Sequence, residues 1–214
     1  MKKCFVTFMV GFMSILLTSC SGGLEPNKYF ETIASVEQDV TTAQQITTIY
    51  DGDLLLSEES VTVQEDKHSG ITKIVTTSKR LSDIDSEELY NIDEVTIYYT
   101  LTDMYSNESG EWVKTSGTFA FENQGFDWNM EYFDINTFDK QVKSGSSLTA
   151  SLIEGYENNF LRNDVDVADL KIMISLDNNE MLTSTSITYV TSRQNNVQID
   201  CYYYYNEVNL TLPI

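Results

Sequence analysis

Basic residues are scarce in this chain. Lysine and arginine together number 13, against 33 aspartates and glutamates, which gives a formal net charge of −20. A protein that contacts nucleic-acid phosphates needs a basic surface, so the composition argues against a nucleic-acid partner. The same acidic balance argues against electrostatic docking to anionic lipid, and it keeps an exported domain soluble.

Histidine and cysteine are equally rare, with one and three residues respectively. His68 lies in the polar stretch EDKHSG, which predicts a solvated loop tip. Without a second histidine or a Gly-x-Ser-x-Gly elbow, we expect neither a Ser-His-Asp site nor a zinc site. Cys4 and Cys20 fall in the N-terminal segment, so we expect Cys201 to be a buried strand residue outside any intramolecular disulfide.

Proline is almost absent. The two prolines, Pro26 and Pro213, bracket the stretch between them. No proline-rich linker and no internal repeat divides that stretch. We therefore expect one domain, over 28–214.

The one long hydrophobic run lies at the N-terminus, where Lys2 and Lys3 precede an uncharged stretch over 4–17. It is shorter than the roughly 20 residues of a spanning helix, and a basic start before such a run is typical of a secretory signal. Its end, Leu17-Thr18-Ser19-Cys20, resembles the lipobox of bacterial lipoproteins. An ordinary signal, or a buried N-terminal helix with an incidental cysteine, is the alternative.

The lipobox resemblance implies a signal peptide over 1–19 and an acylated Cys20. Residues 20–27 would then hold the lipidated cysteine and a flexible tether rich in serine and glycine. Two or three acyl chains anchor a protein durably in a bilayer. The expected location is therefore the cell membrane, lipid-anchored and facing outside the cytoplasm.

Hydrophobic periodicity predicts one N-terminal helix followed by strands. Apolar spacings of three and four favour a helix over 27–45. The β-branched run from Thr41 to Ile49 indicates that the helix gives way to a strand before Tyr50, after which the period is two. The clearest alternation predicts strands at 95–101, 126–132, 170–176 and 197–205. Weaker alternation predicts strands at 53–65, 71–80, 111–121 and 181–191. The expected fold is α+β, with helices packed against a curved antiparallel sheet.

A second helix is predicted over 146–161. Within the sequence SSLTASLIEGYENNFL, apolar side chains recur at every fourth position, which places them on one helix face: Leu148, Leu152, Tyr156 and Phe160. A serine at 146 or 147 can cap the start of this helix. Gly155 weakens the helix by roughly 1 kcal/mol relative to alanine.

Acidic residues cluster in NDVDVADL, which contains Asp164, Asp166 and Asp169. Read as a calcium loop, this stretch lacks the glycine at the sixth position and the glutamate at the twelfth. A solvated connector is the better interpretation. A pair of carboxylates for glycoside hydrolysis is a further alternative, but carboxylates are too abundant here to indicate one. We expect no enzyme, no catalytic residues, no metal site and no cofactor.

The most distinctive stretch is QIDCYYYYNEVNLTLPI, near the C-terminus. Four consecutive tyrosines on a strand place aromatic rings on both faces of a sheet. Two interpretations stay open. Either the strand belongs to a core that a helix covers, or it forms the wall of a pocket for an apolar ligand.

The order of elements resembles the LolA/LppX family of exported lipid and lipoprotein carriers. The ending over 205–213, Tyr-Asn-Glu-Val followed by Leu-Thr-Leu-Pro, is similar to the ending of those proteins. The resemblance implies a half-barrel of antiparallel strands with helices on its concave face. It also implies an anchored protein that binds or carries an apolar ligand such as a lipid.

The hypothesis from the sequence is a lipid-binding lipoprotein whose ligand lies between sheet and helices. The residues expected to line that site are Trp128, Met130, Leu148, Leu152, Tyr156, Phe160, Tyr203 and Tyr205. The alternative is a surface interaction or structural module with a fully packed core and no ligand.

Overall fold

The computed structural model describes residues 25–35, 40–81, 90–108, 110–117, 135–156 and 167–213. The predicted signal peptide over 1–19, Cys20 and the first residues of the tether lie outside these ranges. So do the predicted strand at 126–132 and the last part of the predicted helix over 146–161.

Within the described residues, eleven antiparallel strands form one sheet in the order β6-β5-β4-β3-β2-β1-β11-β10-β9-β8-β7. Strands that follow each other in the chain are paired, apart from β6 and β7, which lie at opposite edges of the sheet. In addition, the first strand, β1, pairs with the last strand, β11. The strands are β1 (Thr42–Asp51), β2 (Leu54–Asp66), β3 (Ile71–Leu81), β4 (Tyr90–Tyr99), β5 (Asp103–Glu108), β6 (Glu111–Ser116), β7 (Phe138–Ser144), β8 (Ser147–Leu152), β9 (Val167–Leu176), β10 (Leu182–Thr191) and β11 (Asn196–Tyr204).

The expected α+β fold, with helices packed on the sheet, is wrong. Strands hold 66% of the described residues and helical segments 8%. The described part of the chain contains one α-helix, α1 (Pro26–Ser35), and one short 3-10 turn over Ile135–Thr137.

Residues 147–152 of the predicted helix over 146–161 form strand β8. A spacing of four residues fits a strand of period two as well as a helix, so Leu148 and Leu152 share a sheet face with the buried Ala150 between them. β8 pairs with β7 on one side and with β9 on the other. The β7–β8 hairpin turns at Gly145, whose φ of 60° is the left-handed conformation that glycine adopts without strain.

The predicted helix over 27–45 is too long at its C-terminal end. Helix α1 begins with Pro26, whose fixed φ suits the first helical position. It ends at Ser35, and residues 36–39 lie outside the described part. From Thr42 onward the chain is the central strand β1, which pairs with β2 and β11. Pairing on both sides and the β-branched run overrode the helical spacing of Val40 and Ala43.

The strands predicted at 53–65, 71–80, 170–176, 181–191 and 197–205 are confirmed within a few residues as β2, β3, β9, β10 and β11. The predicted strand at 95–101 overlaps β4, which begins earlier and ends at Tyr99. The strand predicted at 111–121 is β6 as far as Ser116. Strands β5, β7 and β8 were not predicted as strands, and β1 was anticipated only as a change from helix to strand before Tyr50. The domain boundaries stay a prediction.

Register places the buried apolar residues of β7–β11 on one face of the sheet, called here the helix face. Directly paired residues share a face, which joins Leu148 to Ile174 and Cys201 to Thr185. On this face Tyr29, Phe30 and Ile33 of α1 are buried in one hydrophobic cluster with β1 and β7–β11. The other side of the sheet is called the opposite face.

Candidate ligand-binding surface

The residues that the sequence assigned to a ligand site divide into three groups in the structure. Leu148 and Tyr203 belong to the hydrophobic cluster beneath α1, with 0% and 7% of their surface exposed. Leu152 and Tyr205 are half-buried and pack against that cluster. Tyr156 is exposed beyond the end of β8. Trp128, Met130 and Phe160 lie outside the described residues.

The tyrosine strand β11 presents its rings to both faces, as expected. Tyr203 faces the helix side, where its hydroxyl lies 3.4 Å from Thr185 Oγ1 and burial raises its pKa. Tyr202 and Tyr204 are exposed on the opposite face. Just beyond the strand, Tyr205 donates a hydrogen bond of 2.8 Å to the Leu182 carbonyl. On the helix side this strand is therefore part of the packed core.

Apolar side chains continue on the helix face across β2–β6, beyond the cluster that contains α1, among polar and charged residues that include Glu59 and Asp93. The cluster reaches only Ala43 in β1. Register extends the same face from Val63 through Ile74 to Ile97, and from Ile97 through Ser106 to Val113. Its apolar members are Val61, Val63, Ile74, Val95, Ile97, Tyr99, Met104 and Val113.

Burial on this half of the helix face is graded along the strands. Ile74 and Tyr99 are buried, and burial raises the pKa of the Tyr99 hydroxyl. Val95 and Val113 keep 45% and 41% of their surface exposed. The surface therefore runs from a buried end at Tyr99 to an accessible end at Val95.

Sequence reasoning predicted strands at β2, β3 and part of β4 but did not assign these residues to a site. The signal was the alternation of apolar and hydroxyl residues, such as Val61-Thr62-Val63 and Ile71-Thr72. Alternation identifies a strand with two unlike faces. It does not say which faces of neighbouring strands join, because that depends on the pairing register.

A groove of about 460 Å³ lies at the ends of β1, β9, β10 and β11. Its lining mixes aromatic and polar side chains, including Tyr50, Lys171 and Gln198. Register places these three on the opposite face, away from α1. A long apolar ligand would leave the amine and the amide without partners, so this groove is a poorer candidate than the helix face.

Asp169, one of the three acids of the predicted connector, contributes to the same groove and has a positive φ of 55° at an irregular point of β9. Asp164 and Asp166 lie outside the described residues. Among the described residues, no group of three or more histidines, cysteines or acids lies close enough to hold a metal ion.

His68 lies in the exposed turn between β2 and β3, as the sequence predicted. Its backbone N–H donates to Asp66 Oδ1, as does that of Ser69. Hydrogen bonds lower the pKa of Asp66 to about 2. The largest contribution comes from the Ser69 side chain, and the backbone N–H groups of Leu210, Ser69 and His68 add to it. The turn therefore holds a structural carboxylate.

Within the ranges that the structure describes, no helix is long and apolar enough to cross a bilayer.

No protein-family model and no curated protein matches the sequence. The structure is similar to that of LprF from Mycobacterium bovis, with a TM-score of 0.45 and 12% identity over 90% of this chain and 99% of that chain. It is also similar to the lipoprotein LppX of Mycobacterium tuberculosis, with a TM-score of 0.37 and 10% identity over 88% of this chain and 100% of that chain.

Proposed function

We propose that this protein is a membrane-anchored extracytoplasmic lipoprotein that binds an apolar ligand, such as a lipid, on the helix face of β2–β6. The proposal rests on one observation: the apolar residues of the helix face extend further across the sheet than the part that α1 covers. Helix α1 buries its three large side chains in the cluster of β1 and β7–β11, while the same face continues to Val95 and Val113.

The energetics of that face favour an occupant. Exposed apolar residues scattered singly need no explanation, but a contiguous apolar surface marks a binding site. Val61, Val63 and Ile97 are only half-buried there, and Val95 keeps 45% of its surface exposed. Covering a valine or isoleucine fully is worth about 1.5–3 kcal/mol. A ligand that lies along several of these side chains would gain affinity from their combined burial.

The site proposed from the sequence shifts along the same face. Leu148 and Tyr203 have no surface left for a ligand while α1 is in place, so they would support the wall of the site. Half-buried Leu152 and Tyr205 are the members of the predicted set that a ligand could reach at the margin of the packed cluster. Contacts from Trp128, Met130 and Phe160 stay a prediction.

The anchoring part of the proposal is supported by the sequence alone. A basic start, a short apolar run, the lipobox-like Leu17-Thr18-Ser19-Cys20 and a serine-glycine tether occur in that order. Every described element begins at or after Pro26, so acylation of Cys20 would leave the sheet unchanged.

One packed region favours the second candidate, an interaction module without a ligand. Beneath α1 the core is filled, with Ile33, Leu148, Ile174 and Cys201 fully buried. If other parts of the chain buried the helix face of β2–β6 as α1 buries that of β7–β11, the face would need no apolar ligand. Val95 and Val113, which remain accessible, are the residues that separate the two candidates.

The test is extraction of the purified protein with organic solvent, followed by mass spectrometry, and titration with a fluorescent fatty acid such as cis-parinaric acid. We expect Val95→Asp and Val113→Asp to lower recovered lipid and to weaken fatty-acid binding, because each carboxylate would have to be desolvated. Met173→Asp is the control, since Met173 is an exposed apolar residue on the opposite face.

An empty extract from the native protein, together with equal fatty-acid binding by all three variants, would contradict the ligand-binding proposal and leave the packed interaction module. Thermal melts of each variant show whether the substituted proteins keep the native sheet. Both valines are more than a third exposed, so we expect the variants to fold.

A further inference from the structure

The opposite face of β3–β6 carries an unusual set of side chains, called here the aromatic–lysine patch. Register places lysines and aromatic residues from all four strands on this one face, behind the apolar surface described above. The members of the patch are Lys73, Lys79, Tyr90, Ile92, Tyr98, Tyr105, Trp112 and Lys114.

Each lysine of the patch lies over a tyrosine ring. The ammonium group of Lys79 is 4.4 Å from the centre of the Tyr90 ring. That of Lys114 is 5.5 Å from the Tyr105 ring, and that of Lys73 is 5.7 Å from the Tyr98 ring. Such contacts hold a cation at the surface while its methylene stem covers apolar area.

The two exposed apolar residues of the patch lie on different strands. Trp112 meets Tyr98 edge-on, with the ring centroids 5.5 Å apart, and keeps 39% of its own surface exposed. Ile92 on β4 is 68% exposed. Tryptophan and tyrosine are enriched where proteins meet the headgroup level of a bilayer, and lysine stems reach from there to the phosphates.

Charge sets the patch apart from the rest of the molecule. On β3–β6 the opposite face carries three lysines but only two carboxylates, Glu94 and Asp103, in a chain of net charge −20. Glu58 of β2 lies beside it, opposite Lys79 in the register. Asp103 is 3.2 Å from the Lys114 ammonium.

The remaining two lysines are available to a partner. Within the described residues, neither Lys73 nor Lys79 forms a salt bridge. Fields from acidic residues elsewhere on the molecule are screened beyond about 8 Å at physiological ionic strength. With Glu58 counted, three lysines face three carboxylates, so the patch is close to neutral and lacks the excess negative charge of the whole chain. The net charge of the chain therefore does not exclude docking of this face to anionic lipid.

We propose that the aromatic–lysine patch docks on the surface of a lipid bilayer that contains anionic headgroups. Lys73 and Lys79 would meet phosphates, while Trp112 and Ile92 would enter the headgroup region. The exposed Ile92 favours a bilayer over a glycan, since an aliphatic side chain can be buried among acyl chains but gains little against sugar hydroxyls. This inference rests on the proposed extracytoplasmic membrane location and not on the apolar ligand.

The experiment uses tryptophan emission, because Trp112 and Trp128 are the two tryptophans of the chain. In a Trp128→Phe protein, Trp112 alone reports on the patch whether or not the N-terminus is anchored. We expect its emission to shift to shorter wavelength with phosphatidylglycerol–phosphatidylethanolamine vesicles, and to be quenched by nitroxide-labelled lipids at headgroup depth. The matched Trp112→Phe protein, which keeps only Trp128, shows whether a change in emission comes from the patch or from another part of the chain.

Charge and insertion are then separated by substitution. Lys73→Gln and Lys79→Gln should each lower the apparent affinity for the anionic vesicles about fivefold, in keeping with the contribution of one lysine near a charged surface, and should matter little with phosphatidylcholine. Ile92→Ser should weaken binding to both kinds of vesicle. Thr77→Ser, on the same face of β3, is a control that changes neither charge nor insertion.

Trp112 emission that stays unchanged with all vesicles, or that responds to soluble cell-wall polysaccharide but not to lipid, would overturn the docking proposal. A failure of the docking proposal can be told apart from a failure of the proposed ligand binding. Val95→Asp acts on the helix face and is expected to change extracted lipid without changing the Trp112 signal.

Discussion

The carboxylate of Asp66 accepts a hydrogen bond of 3.1 Å from the backbone N–H of Leu210, which lies 144 residues further along the chain. Asp66 ends β2 and is buried, and its other oxygen accepts the N–H groups of His68 and Ser69 in the following turn. One side chain thus holds both the β2–β3 turn and the C-terminal segment after β11. Thr41 adds a second attachment by donating to the carbonyl of Asn206.

Protonation of Asp66 at low pH should weaken its hydrogen bond from Leu210 and lower the stability of the fold. Because hydrogen bonds lower the pKa of Asp66 to about 2, below the usual value near 3.9 in an unfolded chain, its ionised form stabilises the fold above about pH 4. That contribution is lost as the pH falls from about 4 through 2. We expect Asp66→Asn to lower the melting temperature at pH 6 and to flatten its dependence on pH over this range.

The control for Asp66→Asn is Asp53→Asn, in the exposed turn between β1 and β2. It removes the same charge without removing an acceptor from Leu210. Hydrogen exchange should show faster exchange of the Leu210 amide in the Asp66 variant only. Equal melting curves for the two variants between pH 2 and pH 6, all measured against the native protein, would contradict the role given to Asp66.

Cys201 is a buried thiol in the middle of β11. We expect it to react slowly with a thiol reagent in native buffer and quickly in denaturant, because burial keeps the reagent away from the thiol in the folded protein. Mass spectrometry of the peptide that contains Cys201 separates it from Cys4 and Cys20. Labelling in native buffer as fast as in denaturant would show that β11 is not buried under α1.

The sequence was informative about strands and poor about what covers them. Period-two alternation located β2, β3, β9, β10 and β11 because a strand buried on one face carries that signal in its own residues. Strands β7 and β8 were missed for a physical reason. Leu148 and Leu152 are four residues apart, which satisfies both periods, and the short hairpin depends on a left-handed turn at Gly145.

The candidate surface was harder to predict than the strands. Leu148 was expected on a helix that lies over the strand of Tyr203, whereas both residues belong to one sheet face. Which residues of that face keep accessible surface depends on where α1 lies. Val95 and Val113 come together only through the register of β4, β5 and β6. Pairing over such distances in sequence leaves no trace in composition or local periodicity.

Membrane anchoring is testable at a single residue. Acylation of Cys20 would require its thiol, so Cys20→Ala should abolish incorporation of an alkyne-labelled fatty acid and release the protein from membranes. Cys4→Ala is the matched control, since it removes a thiol from the same leader without touching the lipobox. Membrane retention of the Cys20→Ala protein after a wash at high salt and high pH would rule out this anchor.

The last prediction compares two neighbouring residues of β8, one on the packed helix face and one on the opposite face. Leu148 is fully buried, whereas Thr149 is exposed on the other face of β8. Leu148→Ala should lower the free energy of unfolding by about 2–5 kcal/mol, because a cavity would open inside the packed cluster beneath α1. Thr149→Ala should change it by about 0.5 kcal/mol or less and should not stabilise the protein, as it would if the segment were helical. Urea denaturation of both variants measures the two values, and a small loss for Leu148→Ala would mean that the core beneath α1 is not filled.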